Sequence, residues 1–223
     1  MILAAGRGSR LRPLTDHLPK ALVPVADKPL IEHHVAKLAA AGIRELVINL
    51  SWLGEQIEAH LGDGARFGVA IRWSREPELL ETGGGIRQAL PWLGEEPFAV
   101  ISADIWSDFG YQQLPRTLAA DTCAHLVLVD NPAHNPSGDY RLCGDARVRA
   151  KNARAETLTF SGIALIAPAL VREFPPGTAF PLREALAAAI AAGRVSGEIH
   201  RGRWSDVGTP ERLDELRREL ESR

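Results

Sequence analysis

Apolar positions along this chain fall into short continuous runs and into stretches at helical spacing, and the two kinds alternate. Residues 3–5 (LAA) close a short buried strand. Residues 30–41 (LIEHHVAKLAAA) place Leu30, Ile31, Val35, Leu38 and Ala39 at helical spacing, with Gly42 as the stop. Residues 45–50 (ELVINL) predict a buried strand, 54–61 a short helix, and 69–73 (VAIRW) a third strand. A helix opened by glycines follows at 84–90, then a fourth strand at 98–102 (FAVIS) that runs into Asp104. Residues 111–120 predict a helix and 125–130 (HLVLVD) a fifth strand. The second half is less regular. It reads as a proline-rich loop at 131–137, a polar hairpin at 140–148, and a strand at 157–166 running into a short helix. An Ala-rich helix at 182–192 and a strand or hairpin over 195–207 come next. A charged helix closes the chain at 209–221, with Thr209 as its N-cap and Pro210 at its first position. Strand–helix alternation of this kind predicts an α/β fold, a mainly parallel sheet with helices on both faces. Ligands then bind beyond the carboxyl ends of the strands. Gly6, residues 81–85 and Asp104 all fall there, so three candidate sites are expected on one edge.

Length and composition narrow the class. A chain of 223 residues with 45% hydrophobic residues suits a single compact α/β domain. No apolar run approaches the roughly 18 residues of a membrane span, and no secretory leader is visible at the start. Cys123 and Cys143 form no CxxC or Cys/His cluster, which predicts two reduced thiols and a cytoplasmic protein. His33, His34, His60, His125 and His200 show no metal-ligand spacing. A net charge of -2 argues against nucleic-acid binding. The first strand has almost no residues before its turn, fewer than such a fold prefers.

One segment departs from that near-neutral balance. In residues 3–20 (LAAGRGSRLRPLTDHLPK) the cations Arg7, Arg10, Arg12 and Lys20 face a single acid, Asp16. Gly6 and Gly8 allow a tight turn and close approach of backbone to a ligand. A glycine turn with concentrated cations suits a polyphosphate. The P-loop string is absent, and the dinucleotide fingerprint fails at Leu11. The remaining pattern, GxGxRxxPLT followed by PK, resembles the signature of the sugar-1-phosphate nucleotidyltransferases.

That resemblance runs from Leu3 to Thr209 and implies a Rossmann-like, nucleotide-diphospho-sugar transferase fold. Residues 1–130 would form its nucleotide-binding half and residues 131–223 its sugar-phosphate-binding half. It implies that Leu3, Ala4, Ala5, Gly6, Gly8 and Arg10 bind the nucleotide, with Arg10 on the β- and γ-phosphates. Lys20 would hold the α-phosphate or the attacking phosphate. Glu81, Thr82, Gly83 and Gly84, in the string ETGGG, would lie against base and ribose. The run of glycines itself predicts close approach to a flat ligand. Asp104 and the Asp206 of WSDVGT would be the Mg²⁺ ligands, with Asp104 also touching substrate and Asp108 a weaker candidate. Gly-Asp is the family pattern where this chain has Ala103-Asp104. Asp139, Glu156, Ser161 and Gly162 would face the sugar.

Nucleotidyl transfer sets two polyanions against each other, so the protein must supply cations and positioning more than a base. The strings NLSWLGEQIEAHLGDG, LETGGGI, HLVLVDNP, TLTFSGI and WSDVGT resemble the branch that transfers UMP from UTP to N-acetylmuramic acid 1-phosphate in peptidoglycan recycling. The expectation is therefore a Mg²⁺-dependent uridylyltransferase acting as a monomer, with no nucleic-acid or membrane partner. The alternatives are a mannose or heptose 1-phosphate guanylyltransferase and a non-catalytic sensor of nucleotide sugars.

Overall fold

A computed structural model describes residues 1–152 and 155–221. In chain order the elements are β1 (Ile2–Leu3), β2 (Pro24–Val25), β3 (Lys28–Pro29), α1 (Leu30–Ala40), β4 (Glu45–Leu50), α2 (Gly54–Leu61), β5 (Ala70–Arg75), α3 (Glu81–Leu93), β6 (Phe98–Ser102) and β7 (Ile105–Ser107). They continue as β8 (Ala124–Val129), β9 (Tyr140–Leu142), β10 (Val148–Ala150), β11 (Thr159–Ile166), α4 (Ala169–Arg172), α5 (Leu182–Ala191), β12 (Val195–Ile199), β13 (Trp204–Asp206) and α6 (Pro210–Glu221).

By packing, the chain divides into two units that interleave in sequence. The first comprises Met1–Leu79, Ile101–Gln112 and the segment from Arg203 on; the second comprises Leu80–Val100 and Gln113–Gly202. The division expected at residue 130 concerns which ligand each half binds, a different property.

In the first unit β1 lies between β4 and the end of β6, all parallel, with Leu3 opposite Asn49 on one side and Ser102 on the other. β5 extends the sheet beyond β4, again in parallel. Every residue of β4 after Glu45 is buried, as expected of a parallel strand covered on both faces. Leu3 and Ser102 share a register, so the turn after β1 and the turn after β6 leave the sheet side by side. Gly6 and Asp104 sit on those two turns.

In the second unit β8 pairs with β12 in parallel and with β11 antiparallel. α3, α4 and α5 pack against one another. The expected hairpin at 140–148 is present as β9 with β10. β11 carries a bulge between Phe160 and Ile163, where Gly162 takes a φ of 82°, a conformation that favours glycine. Among the described residues no helix is long and apolar enough to cross a membrane.

Three expectations fail locally. Residues 111–120 form a single 3-10 turn at Tyr111–Gln113 rather than a helix, and Pro115 lacks the N–H that a continuing helix would need. Residues 195–207 are two strands with separate partners, β12 on β8 and β13 on β7. The helix expected to open at Gly84 already begins at Glu81, so its glycines lie inside the first turn.

Candidate active site

The cationic turn is built around Gly8. Its φ is 65°, and a Cβ there would stand 3.1 Å from both Lys20 Cβ and Thr15 Cγ2. Glycine therefore lets the turn press against Lys20. The Thr15 hydroxyl donates to the Gly8 carbonyl at 2.8 Å and locks that approach. Gly6 has no protein atom within 4 Å of where its Cβ would be, so that side of the turn is open to a ligand. The four cations separate by environment. Arg12 pairs with Asp16 at 2.9 Å. Arg7 lies 4.3 Å above the Trp52 ring. Arg10 is exposed and carries no ion pair among the described residues. Lys20 is 8% exposed, and its ammonium donates to Asp104 Oδ2 at 2.5 Å.

Asp104 and Asp206 are far apart in sequence and adjacent in space. β7 and β13 form an antiparallel ladder in which Asp206 stands opposite Ile105, and the Val207 N–H donates to the Asp104 carbonyl at 2.8 Å. Asp206 accepts from Arg212 Nη1 at 2.7 Å on both carboxylate oxygens. The ladder is fastened from α1. His34 Nε2–H donates to the Ile105 carbonyl at 2.9 Å, which leaves Nδ1 to accept from the Tyr111 hydroxyl at 2.7 Å. Burial pushes the His34 pKa down to about 4, so the ring is neutral and this tautomer is fixed. Lys37 donates to the Ser107 carbonyl at 2.6 Å, and burial lowers its pKa as well. The Asp108 N–H closes the far end of the ladder on the Arg203 carbonyl. The next element after Asp108 is the 3-10 turn at Tyr111–Gln113.

A single apolar cluster lies under these pieces. Leu11 from the turn, Val23 and Val25 after Lys20, Leu30 of α1, Val207 after Asp206, and Leu213 and Leu216 of α6 are all buried together. Turn, lysine and both aspartates thus rest on a common base.

The remaining expected residues belong to the second unit. Gly83 and Gly84 both donate their N–H groups to the Phe180 carbonyl, at 2.9 and 3.1 Å. A Cβ on Gly83 would lie 2.3 Å from Phe180 Cε2, and one on Gly84 would lie 2.4 Å from the Thr178 carbonyl oxygen. The absent side chains of these glycines let them approach the chain's own segment 178–180. The Thr82 hydroxyl accepts from the Leu182 N–H at the start of α5 at 2.8 Å. Glu81 is exposed, with a φ of 58°. Both carboxylate oxygens of Asp139 are engaged, one by the Phe160 N–H at 2.9 Å and one by the Asn135 amide at 3.2 Å. Ser161 is 1% exposed, and its hydroxyl accepts from the Ile163 N–H within the bulge. Glu156 is exposed.

Residues 1–140 match the nucleotidyl transferase family. The chain belongs to that family. It is 48% identical over 96% of its length to N-acetylmuramate alpha-1-phosphate uridylyltransferase of Neisseria meningitidis, covering 95% of that protein. It is 37% identical to the Caulobacter vibrioides protein of the same name, over 95% of this chain and 92% of that one. Among solved structures, a putative glucose-1-phosphate thymidylyltransferase from Bacillus anthracis superposes with a TM-score of 0.82 at 20% identity, over 98% of this chain and 93% of that one. HddC from Yersinia pseudotuberculosis gives 0.81 at 21%, over 98% and 97%. These two likenesses support the fold alone. The chain is an enzyme, a sugar-1-phosphate nucleotidyltransferase with a mixed, mainly parallel sheet.

The donor set suits the metal this family implies. Among the described residues no group of three or more His, Cys, Asp or Glu is gathered for a metal. Mg²⁺ does not need one, because it keeps several waters and takes one or two carboxylates plus substrate phosphate. Asp104 and Asp206 supply two such carboxylates, and each already attracts a cation, Lys20 and Arg212.

Sequence reading missed Asn49 and Glu76. Asn49 Oδ1 accepts from the Ala4 N–H at 2.8 Å, and Nδ2 of the same side chain donates to Glu76 Oε1 at 2.7 Å. Both residues are buried, so this bridge holds the turn after β1 onto the ends of β4 and β5. Polar side chains at the ends of otherwise apolar strands were the available signal.

Proposed function

We propose that this enzyme transfers UMP from UTP to N-acetylmuramic acid 1-phosphate, giving UDP-N-acetylmuramic acid and pyrophosphate, with Mg²⁺ as cofactor. The observation that carries the reaction type is the Lys20–Asp104 pair beside Asp206, with Lys20 packed against Gly8 of the cationic turn. A phosphate oxygen of the sugar phosphate forms a bond to the α-phosphorus. The bond from that phosphorus to its leaving oxygen breaks, and pyrophosphate departs with the electron pair. The attacking oxygen is already ionised at neutral pH, so no side chain has to remove a proton. Lys20 is the mobile point charge that draws the two phosphates together, and exposed Arg10 offers a fork of donors to the β- and γ-phosphates. Residues 3–6 present backbone to the nucleotide. When bound, Mg²⁺ held by Asp104 and Asp206 supplies further neutralisation of phosphate charge.

The choice of UTP and the muramic sugar rests on the 48% and 37% identities to the two named uridylyltransferases across nearly their whole lengths. A mannose-1-phosphate guanylyltransferase of Mycobacterium tuberculosis is 31% identical, and this chain covers 61% of it. On this reading Asp139, Glu156 and the Ser161–Gly162 bulge contribute to the sugar side and the Glu81–Gly84 string to the base side. The enzyme works as a cytoplasmic monomer in peptidoglycan recycling, without nucleic-acid or membrane partners. Mass spectrometry of a reaction with UTP, Mg²⁺ and N-acetylmuramic acid 1-phosphate is expected to show UDP-N-acetylmuramic acid. Product from GTP and mannose 1-phosphate instead would keep the chemistry and overturn the substrates. Bound nucleotide without any product would favour the sensor.

A further inference from the structure

Arg212 has no part in the reaction as described, yet it is aimed at one of the two carboxylates. Its Nη1 stands 2.7 Å from both oxygens of Asp206, and the two side chains are only 14% and 23% exposed. Its placement is built from several directions. Arg212 lies in the first turn of α6, where its N–H is within 3.5 Å of the Thr209 hydroxyl. Leu213 and Leu216 sink the same helix into the apolar cluster beneath the site. Gly208 completes the arrangement. A Cβ there would lie 1.8 Å from Arg212 Nη2 and 2.6 Å from Cζ. The missing side chain is the passage through which the guanidinium reaches Asp206. Lys20 stands in the same relation to Asp104, so two carboxylates are balanced by two cations.

We propose that Arg212 is a positioning residue and resident counter-cation for Asp206. It fixes the direction of that carboxylate and offsets its charge, so the free enzyme binds bare divalent cations poorly. A metal carried on a triphosphate brings its own negative charge and is admitted. This inference rests on the reading of Asp206 as a metal ligand.

The test is a titration of the nucleotide-free protein with Mn²⁺, following unbound Mn²⁺ by electron paramagnetic resonance. Removing a unit charge so close to the site should raise Mn²⁺ affinity on the order of tenfold in Arg212→Gln, even with charges screened as in water. Arg212→Lys should return it towards wild type. Gly208→Ala keeps the arginine but fills its passage, and should raise Mn²⁺ affinity in the same direction while the protein stays folded. In both Arg212→Gln and Gly208→Ala, kcat should fall more than KM changes. A residue that merely packed α6 would lower the melting temperature and leave Mn²⁺ affinity unchanged. Unchanged or weaker Mn²⁺ binding in folded Arg212→Gln overturns the proposal, and if that variant fails to fold, the same result in Gly208→Ala does so. Failure of the underlying reading looks different. Asp206→Asn would then turn over at the wild-type rate, and an Mn²⁺ gain in Arg212→Gln would survive addition of Asp206→Asn.

Discussion

Replacing Gly84 by alanine separates two accounts of the ETGGG string. The structure places the added methyl 2.4 Å from the Thr178 carbonyl oxygen and 3.0 Å from Leu80 Cβ. The first neighbour is backbone and cannot swing aside. Its segment is pinned by Phe180, which is 3% exposed and stacked on Phe174 with ring centroids 3.9 Å apart. Overpacking of this kind costs about 1–3 kcal/mol. Loss or stretching of the Gly84–Phe180 hydrogen bond adds about 1 kcal/mol. The better helix propensity of alanine returns about 1 kcal/mol. The net expectation is a destabilisation of about 2 kcal/mol, or about 4–8 °C in Tm for a chain of this size. Thermal denaturation followed by circular dichroism reads this directly, and a UTP titration of the folded variant well below its Tm supplies the comparison. An unchanged Tm with weakened UTP binding would refute the packing account and assign Gly84 to the ligand alone.

Asp104→Asn is expected to abolish turnover with little change in Tm, since the Asp104 side chain is 42% exposed; wild-type pyrophosphate release would remove it from the site. Lys20→Ala should lower kcat by on the order of 10² or more, because the charge it meets grows in the transition state; a rise in KM alone would contradict that role. Asn49→Ala removes the acceptor of the buried Ala4 N–H, at about 1–3 kcal/mol for an orphaned group, and should also raise KM for the nucleotide; equal urea midpoints would show the bridge to be idle. His34 gives a pH dependence. Its folded pKa is about 4 against an ordinary 6.5, so between these values the unfolded chain binds the extra proton. Stability should therefore fall as pH drops from 6.5 towards 4, by up to about 3 kcal/mol at 1.4 kcal/mol per pH unit. His34→Leu should flatten that slope in urea titrations, and an unaltered slope would assign it to other groups.

The parts of this protein that were legible in sequence are those set by local pattern. ELVINL and FAVIS are strands with the expected bounds because continuous apolar runs fit a sheet covered on both faces. Gly8 and Lys20 were legible as parts of one tight turn because a glycine pair and cations coincide there, and Gly8 does pack against Lys20. The illegible parts depend on long-range register. Nothing local to Asp206 says that a three-residue strand will pair with Ile105–Ser107 and bring it beside Asp104. Arg212 looks like an ordinary charged residue of an exposed helix until Gly208 is seen to open its path. Residues 111–120 misled because their spacing ignored Pro115. The packing of Gly83 and Gly84 on residues 178–180 was not legible because close approach of backbone reads the same in sequence whatever the neighbour.

The central claim is that this chain breaks the bond on the α-phosphorus of a nucleoside triphosphate and joins that phosphorus to a sugar phosphate. The most direct measurement follows UTP labelled separately at its α- and γ-phosphates in a reaction with Mg²⁺ and N-acetylmuramic acid 1-phosphate. The α-label is expected in the nucleotide sugar and the γ-label in pyrophosphate, with both transfers lost in Asp206→Asn. A γ-label released as inorganic phosphate, or transferred to the sugar, would contradict it.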